Sequence, residues 1–140
     1  MPNISGAEFQ SAATAADVVV VLGFVPHFVL GHINNRATNP NTLVWWNRDL
    51  YTIWQAGADD AILTTGSTGV DTVDTASIAA YAGGDIVTAD DVTNTKYRDR
   101  HGNTLAAGTR TGAGFSIPAG DQTNSGYNSF LCVVTDVPKL

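Results

Sequence analysis

Apolar residues along this chain come in short runs, separated by clusters of Gly, Pro, Asn, Asp and Ser. The run Val18-Val19-Val20-Val21-Leu22 leads directly into Gly23-Phe24-Val25-Pro26-His27-Phe28-Val29. A β-branched run, then Gly and Pro, then a second apolar stretch predict a bending strand rather than a helix. Pro26 then belongs at a sheet edge, a bulge or a first position. Further strands are predicted over 42–48, 50–55, 61–65, 77–81, 86–88, 105–111, 115–117 and 127–135, close to the spacing of about 8–12 residues that marks all-β chains. Residues 34–41, 66–74 and 90–103 read as loops, and Gly83-Gly84-Asp85 reads as a tight hairpin turn.

Residues 1–16 are small and polar, with Ile4 and Phe9 as their large apolar side chains. They predict an N-terminal arm with Phe9 as its anchor, since so little apolar surface does not repay the entropy of ordering a chain. The expected architecture is therefore an all-β, single β-sandwich or jelly-roll-like domain over 17–140, preceded by an arm over 1–16.

Composition sharpens this picture. Charged residues are only 14% of the chain, and Glu8 is the only Glu among 13 acidic residues. Asp and Asn suit turns and caps, whereas Glu and Lys suit exposed helix faces. A surface poor in Lys and Glu also loses less side-chain entropy on contact, which suits a protein buried in an assembly. The net charge of −6 argues against a nucleic-acid partner, which needs a basic stripe for the phosphates. Cys132 stands alone, so no internal disulfide is expected. The N-terminus lacks a charged region followed by an apolar core, and no stretch reads as a membrane span. The expected setting is a cytoplasm, or a particle assembled there.

Chemical motifs are sparse. His27 and His32 are five apart on a predicted strand and so face opposite sides, which disfavours a shared metal ion. Asp59-Asp60 and Asp90-Asp91 lack the spacing of a calcium loop and fit turns and helix caps better. Gly66-Ser67-Thr68-Gly69 is no nucleophile elbow, and Gly112-Ala113-Gly114 lacks the rest of a dinucleotide loop. No catalytic residues, cofactor or metal are expected. Trp45, Trp46 and Trp54 are the sharpest remaining feature. Adjacent Trp45 and Trp46 point to opposite faces of a strand, so one enters the core and the other faces a contact. Trp is enriched both at interface hot spots and at sugar-binding platforms. Phe9, Trp45, Trp46 and Trp54 are thus the interface candidates.

The stretches at 23–29, 44–55, Ala107-Gly108-Thr109-Arg110-Thr111, 114–117 and 125–134 together resemble short virion proteins of tailed bacteriophages. That resemblance implies a capsid decoration or cement protein on the virion surface. Its partners would be the major capsid protein and further copies of itself, as a dimer or trimer, joined through strands or the 35–41 loop. The spacing Phe24, Pro26, Val29 is also similar to small β-sandwich lectin domains, which keeps a glycan as the alternative ligand.

Overall fold

The computed structural model describes residues 3–10, 16–34, 42–49, 57–121, 124 and 129–136, with backbone alone for 3–5, 34 and 129–136. Among them are ten strands: β1 (Asn3–Gln10), β2 (Val18–Val21), β3 (Phe28–Asn34), β4 (Thr42–Asn47), β5 (Ala61–Thr64), β6 (Asp71–Asp74), β7 (Ala79–Tyr81), β8 (Tyr97–Arg98), β9 (Gly114–Ile117) and β10 (Ser129–Asp136). One short helix, α1 (Ala89–Thr93), accompanies them. The chain is all-β. A six-stranded sheet has the order β1-β10-β3-β4-β5-β6, and a four-stranded sheet the order β7-β9-β2-β8. All pairings are antiparallel except β2 with β8.

Period-two burial decides which side chains meet. Val18 and Val20 of β2 join Phe115 and Ile117 of β9 on one side of the smaller sheet. Ala7, Phe9, Val29, Ile33, Val44, Trp46, Ala61 and Leu63 line one side of the larger sheet, and all of these belong to a single buried cluster. Phe9 and Phe115 reach across it from different sheets, their ring centroids 6.4 Å apart. Close strand approach depends on Gly114, where an added Cβ would lie 1.8 Å from the carbonyl oxygen of Val20.

Several expectations change in the folded chain. Asn3–Gln10 is a strand of the larger sheet, paired along its whole length with β10, rather than an arm. Its Gly6-Ala7-Glu8-Phe9-Gln10 alternates exposed and buried positions, and Phe9 is 5% exposed, so it anchors the chain's own core instead of an outside contact. β2 and β3 lie in different sheets, and both are interior strands. Pro26 therefore sits in the crossing between sheets, where Gly23 takes φ +88°, and blunts no edge. Asp71–Asp74, expected in a loop, pairs with β5. The predicted hairpin at Gly83-Gly84 does not form: β7 pairs with β9, and Ile86 makes an isolated bridge to Arg110. The expected strands at 86–88 and 105–111 are reduced to bridges, while the expected 90–103 loop holds most of α1 and all of β8. The predicted strand over 50–55 and the 35–41 loop lie outside the described residues, as do residues 11–15 of the predicted arm.

Candidate functional site

The two sheets differ in what lies on their outer faces. The outside of the four-stranded sheet is covered by the chain itself, where Val19, Val87 and Tyr97 form a second buried cluster with Tyr81, Val92 and Leu105 packed on it. Polar contacts fasten this cover. The Tyr81 and Tyr97 hydroxyls donate to the same Asp85 Oδ2 at 2.6 and 3.0 Å, and Thr111 Oγ1 lies 2.7 Å from the Tyr81 hydroxyl. The hydrogen bond from Tyr81, then that from Tyr97, lowers the Asp85 carboxyl below its ordinary range. Partial burial, then the Asp85 carboxylate, pushes the Tyr81 phenol up to about 12, and the same two causes raise Tyr97. Thr88 and Asp91 cap α1 reciprocally, each side chain accepting from the other's backbone N–H, which gives the Asp90-Asp91 pair a local role.

The outside of the six-stranded sheet has no such cover among the described residues. Its side chains alternate with the core positions and line up in rows across the strands. Leu30 pairs with Trp45, Trp45 with Ile62, and Ile62 with Val73. This apolar row crosses four strands, about 14 Å at the usual strand spacing. Beside it His32 pairs with Leu43, Leu43 with Thr64, and Thr64 with Asp71. The Thr64 hydroxyl donates to the Asp71 carboxylate, so both stand on this face. Leu30, Leu43 and Val73 are 45%, 46% and 49% exposed, large values for aliphatic side chains, whereas Ile62 on the intervening β5 is buried. Phe28 packs on Trp45 at 6.3 Å between ring centroids, and Glu8 stands exposed on the β1 edge strand.

The ends of this face carry polar groups. Where β3 and β4 begin and end together, His27 Nδ1 lies 2.9 Å from Asp49 Oδ2, a close contact that lacks hydrogen-bond alignment. Arg48 donates to the Val25 carbonyl at 3.0 Å and lies 3.3 Å from the same Asp49 oxygen. Beyond the other edge, the Glu8 N–H donates to the Arg100 carbonyl at 2.8 Å, and the buried Arg98 guanidinium donates to the Gln10 carbonyl. These bonds tie β1 to the region of β8 and cover part of its free edge. They leave an open recess of about 350 Å³ lined by Gly6, Ala7, Glu8, Arg100 and His101.

The interface candidates separate cleanly. Trp46 is 1% exposed and its Nε1 donates to the Ala58 carbonyl at 2.8 Å, so it is a core residue. Trp45 is the outward-facing one of the pair. Phe9 is in the core, and Trp54 lies outside the described residues. Sequence reasoning missed Leu30, Leu43 and Val73. Leu43 lies two residues before Trp45 on the same strand, and Leu30 and Val73 lie one and two strands away, so reading the latter two required the pairing register. No group of three or more His, Cys, Asp or Glu among the described residues is placed to hold a metal ion, and no helix there is long and apolar enough to cross a membrane. No family model, curated protein or solved structure matches the chain.

Proposed function

We propose that this is a structural protein of a tailed-bacteriophage virion, a decoration or cement protein that stabilises the capsid lattice by non-covalent contacts. The two sheets, in this reading, form a β-sandwich that serves as a rigid adhesive unit. The observation that carries the proposal is the apolar outer face of the six-stranded sheet, where Leu30, Leu43 and Val73 are about half exposed beside Trp45. An apolar patch of this kind on a small domain marks an assembly contact. Low charge content and the resemblance to short virion proteins point the same way. The protein would work by burying surface against the major capsid protein and against its own copies, with no bond made or broken. Purified particles should contain it in copy numbers that match capsid symmetry positions. Its presence in infected-cell lysate but never in particles would overturn the proposal.

A second reading is carbohydrate binding, favoured by the Trp45–Phe28 aromatic pair on the same face. Aliphatic neighbours fit a protein contact better than a sugar, which needs hydrogen-bonding groups around its stacking ring. Titration of tryptophan fluorescence with host polysaccharide separates the two: saturable quenching lost in Trp45→Ala favours the sugar.

A further inference from the structure

We propose that residues 82–113 form a strap that opens and closes as one unit over the outer face of the smaller sheet, while the rest of the chain stays folded. When it opens, β2 becomes an edge strand.

Connectivity points to this first. β7 and β9 are neighbours in the smaller sheet and pair directly as far as Tyr81 with Gly114. Everything from 82 to 113 is therefore an excursion that leaves and rejoins the sheet at one point. Its two feet touch: the Gly84 N–H donates to the Thr111 carbonyl at 2.9 Å, and an added Cβ on Gly83 would lie 2.5 Å from the Gly112 carbonyl carbon. Further along, the excursion bonds to itself. The Val87 N–H donates to the Thr109 carbonyl at 2.9 Å, the Gly108 N–H to the Val87 carbonyl at 2.7 Å, and the Leu105 N–H to the Tyr97 carbonyl at 2.9 Å. Those backbone groups stay satisfied when the strap moves as a body.

Packing divides the chain at the same place. The buried cluster that joins the two sheets contains no residue from 82–113. The smaller cluster is the reverse: Val87, Val92, Tyr97 and Leu105 come from the strap, and Val19 and Tyr81 from the sheet beneath it. A small cluster of this kind opens at a lower free energy than the core it leaves intact. Few bonds hold the strap down. The Val19 N–H donates to the Lys96 carbonyl and the Glu8 N–H to the Arg100 carbonyl, both at 2.8 Å, and the Arg98 guanidinium donates to the Gln10 carbonyl. The Tyr81 hydroxyl fastens it from below, donating to the Asp85 carboxylate at 2.6 Å. β8, the parallel neighbour of β2, is only Tyr97–Arg98. Its departure leaves Val18–Val21, a run of valines, at the edge of the smaller sheet. An apolar edge is a template for another strand, and the closed strap guards it.

Native-state amide hydrogen exchange of the full chain, followed by NMR in urea below the unfolding transition, tests this. The Val87, Leu105 and Gly108 amides should share one protection factor, about tenfold or more below that of the β9 amides. Their urea slope should be about a third of the β9 slope or less, since the slope scales with the surface exposed. Within β2 the Val19 amide, bonded to the strap, should follow the strap, whereas the Val20 amide, directed to the β9 side, should follow the core. Tyr81→Phe removes the fastening to Asp85 and should speed strap exchange about tenfold. Val44→Ala, in the shared core, should speed β9 exchange by about tenfold or more and leave the strap amides at their wild-type rate, because open and closed forms lose the same contact. Strap amides with the protection and urea slope of β9 would mean that the strap leaves only when the whole chain unfolds, which overturns the inference. Unequal protection with no urea dependence overturns it as well, since that is piecemeal fraying. So does Tyr81→Phe without effect on the strap, or Val44→Ala speeding both sets alike.

Discussion

Trp46 and Ala58 are joined by a hydrogen bond from the indole Nε1 to the backbone carbonyl at 2.8 Å, across twelve residues of chain. The bond satisfies the one polar atom of a side chain that is 1% exposed, and it ties the end of β4 to the segment that leads into β5. Its neighbour Trp45 lies on the opposite face against Phe28.

This division predicts opposite responses to truncation. Trp46→Ala should destabilise the domain by about 3–5 kcal/mol, through lost burial and a cavity in the shared core. Trp45→Ala should cost about 1 kcal/mol or less, since that ring is only half-buried. Urea denaturation of the two variants checks the contrast, and equal losses would contradict the assignment of faces.

Phe9 gives a second test. Its ring is 5% exposed and packs 6.4 Å from Phe115, so it holds β1 against the other sheet. Phe9→Ala should lower stability by about 3–5 kcal/mol, and deleting residues 1–10 should leave β10 without its outer neighbour. A truncated protein with an unchanged melting temperature would show that β1 contributes nothing to the fold.

The polar fastener over the smaller sheet predicts a pH dependence with two limbs. Asp85 has its carboxyl lowered from 3.8 by hydrogen bonds from Tyr81 and then Tyr97. Its contribution is therefore present above pH 3.8 and lost as pH falls through the folded value. Asp91, lowered by its helix-capping bond to the Thr88 backbone, adds to this acid limb. Tyr81 is raised from 10.0 to about 12, so its contribution is present below pH 10 and lost as pH climbs towards 12. Melting temperature against pH should show a plateau with both shoulders. Asp85→Asn should flatten part of the acid one, and Tyr81→Phe part of the alkaline one.

Gly114 is the most constrained backbone position in the core. A Cβ there would meet the Val20 carbonyl oxygen at 1.8 Å, and backbone cannot yield as a side-chain tip does. Gly114→Ala should force β9 away from β2 and cost more than about 3 kcal/mol, read by thermal melting. Wild-type stability in that variant would mean that the two strands sit farther apart.

Local pattern was enough to locate β2, β4, β5, β9 and β10, each within a few residues of its expected place. β-branched or apolar runs bounded by turn residues carry their strand character with them. The opposed faces of Trp45 and Trp46 were also legible, because strand alternation requires it. Local pattern did not reveal that Asn3–Gln10 and Asp71–Asp74 are strands. Their apolar content is low, and each is held by a neighbour that the chain reaches only through folding, β10 for the first and β5 for the second. The same reason hid the candidate surface. Leu30, Trp45, Ile62 and Val73 are scattered over more than forty residues, and only inter-strand register brings them into one row. Which Trp faces outward, and which sheet face stays open, depends on where the chain folds back over itself. Residues packed around Val87, Tyr97 and Leu105 cover the smaller sheet, whereas among the described residues nothing comparable covers the larger one, and that choice belongs to tertiary packing because no local stretch contains both sheets.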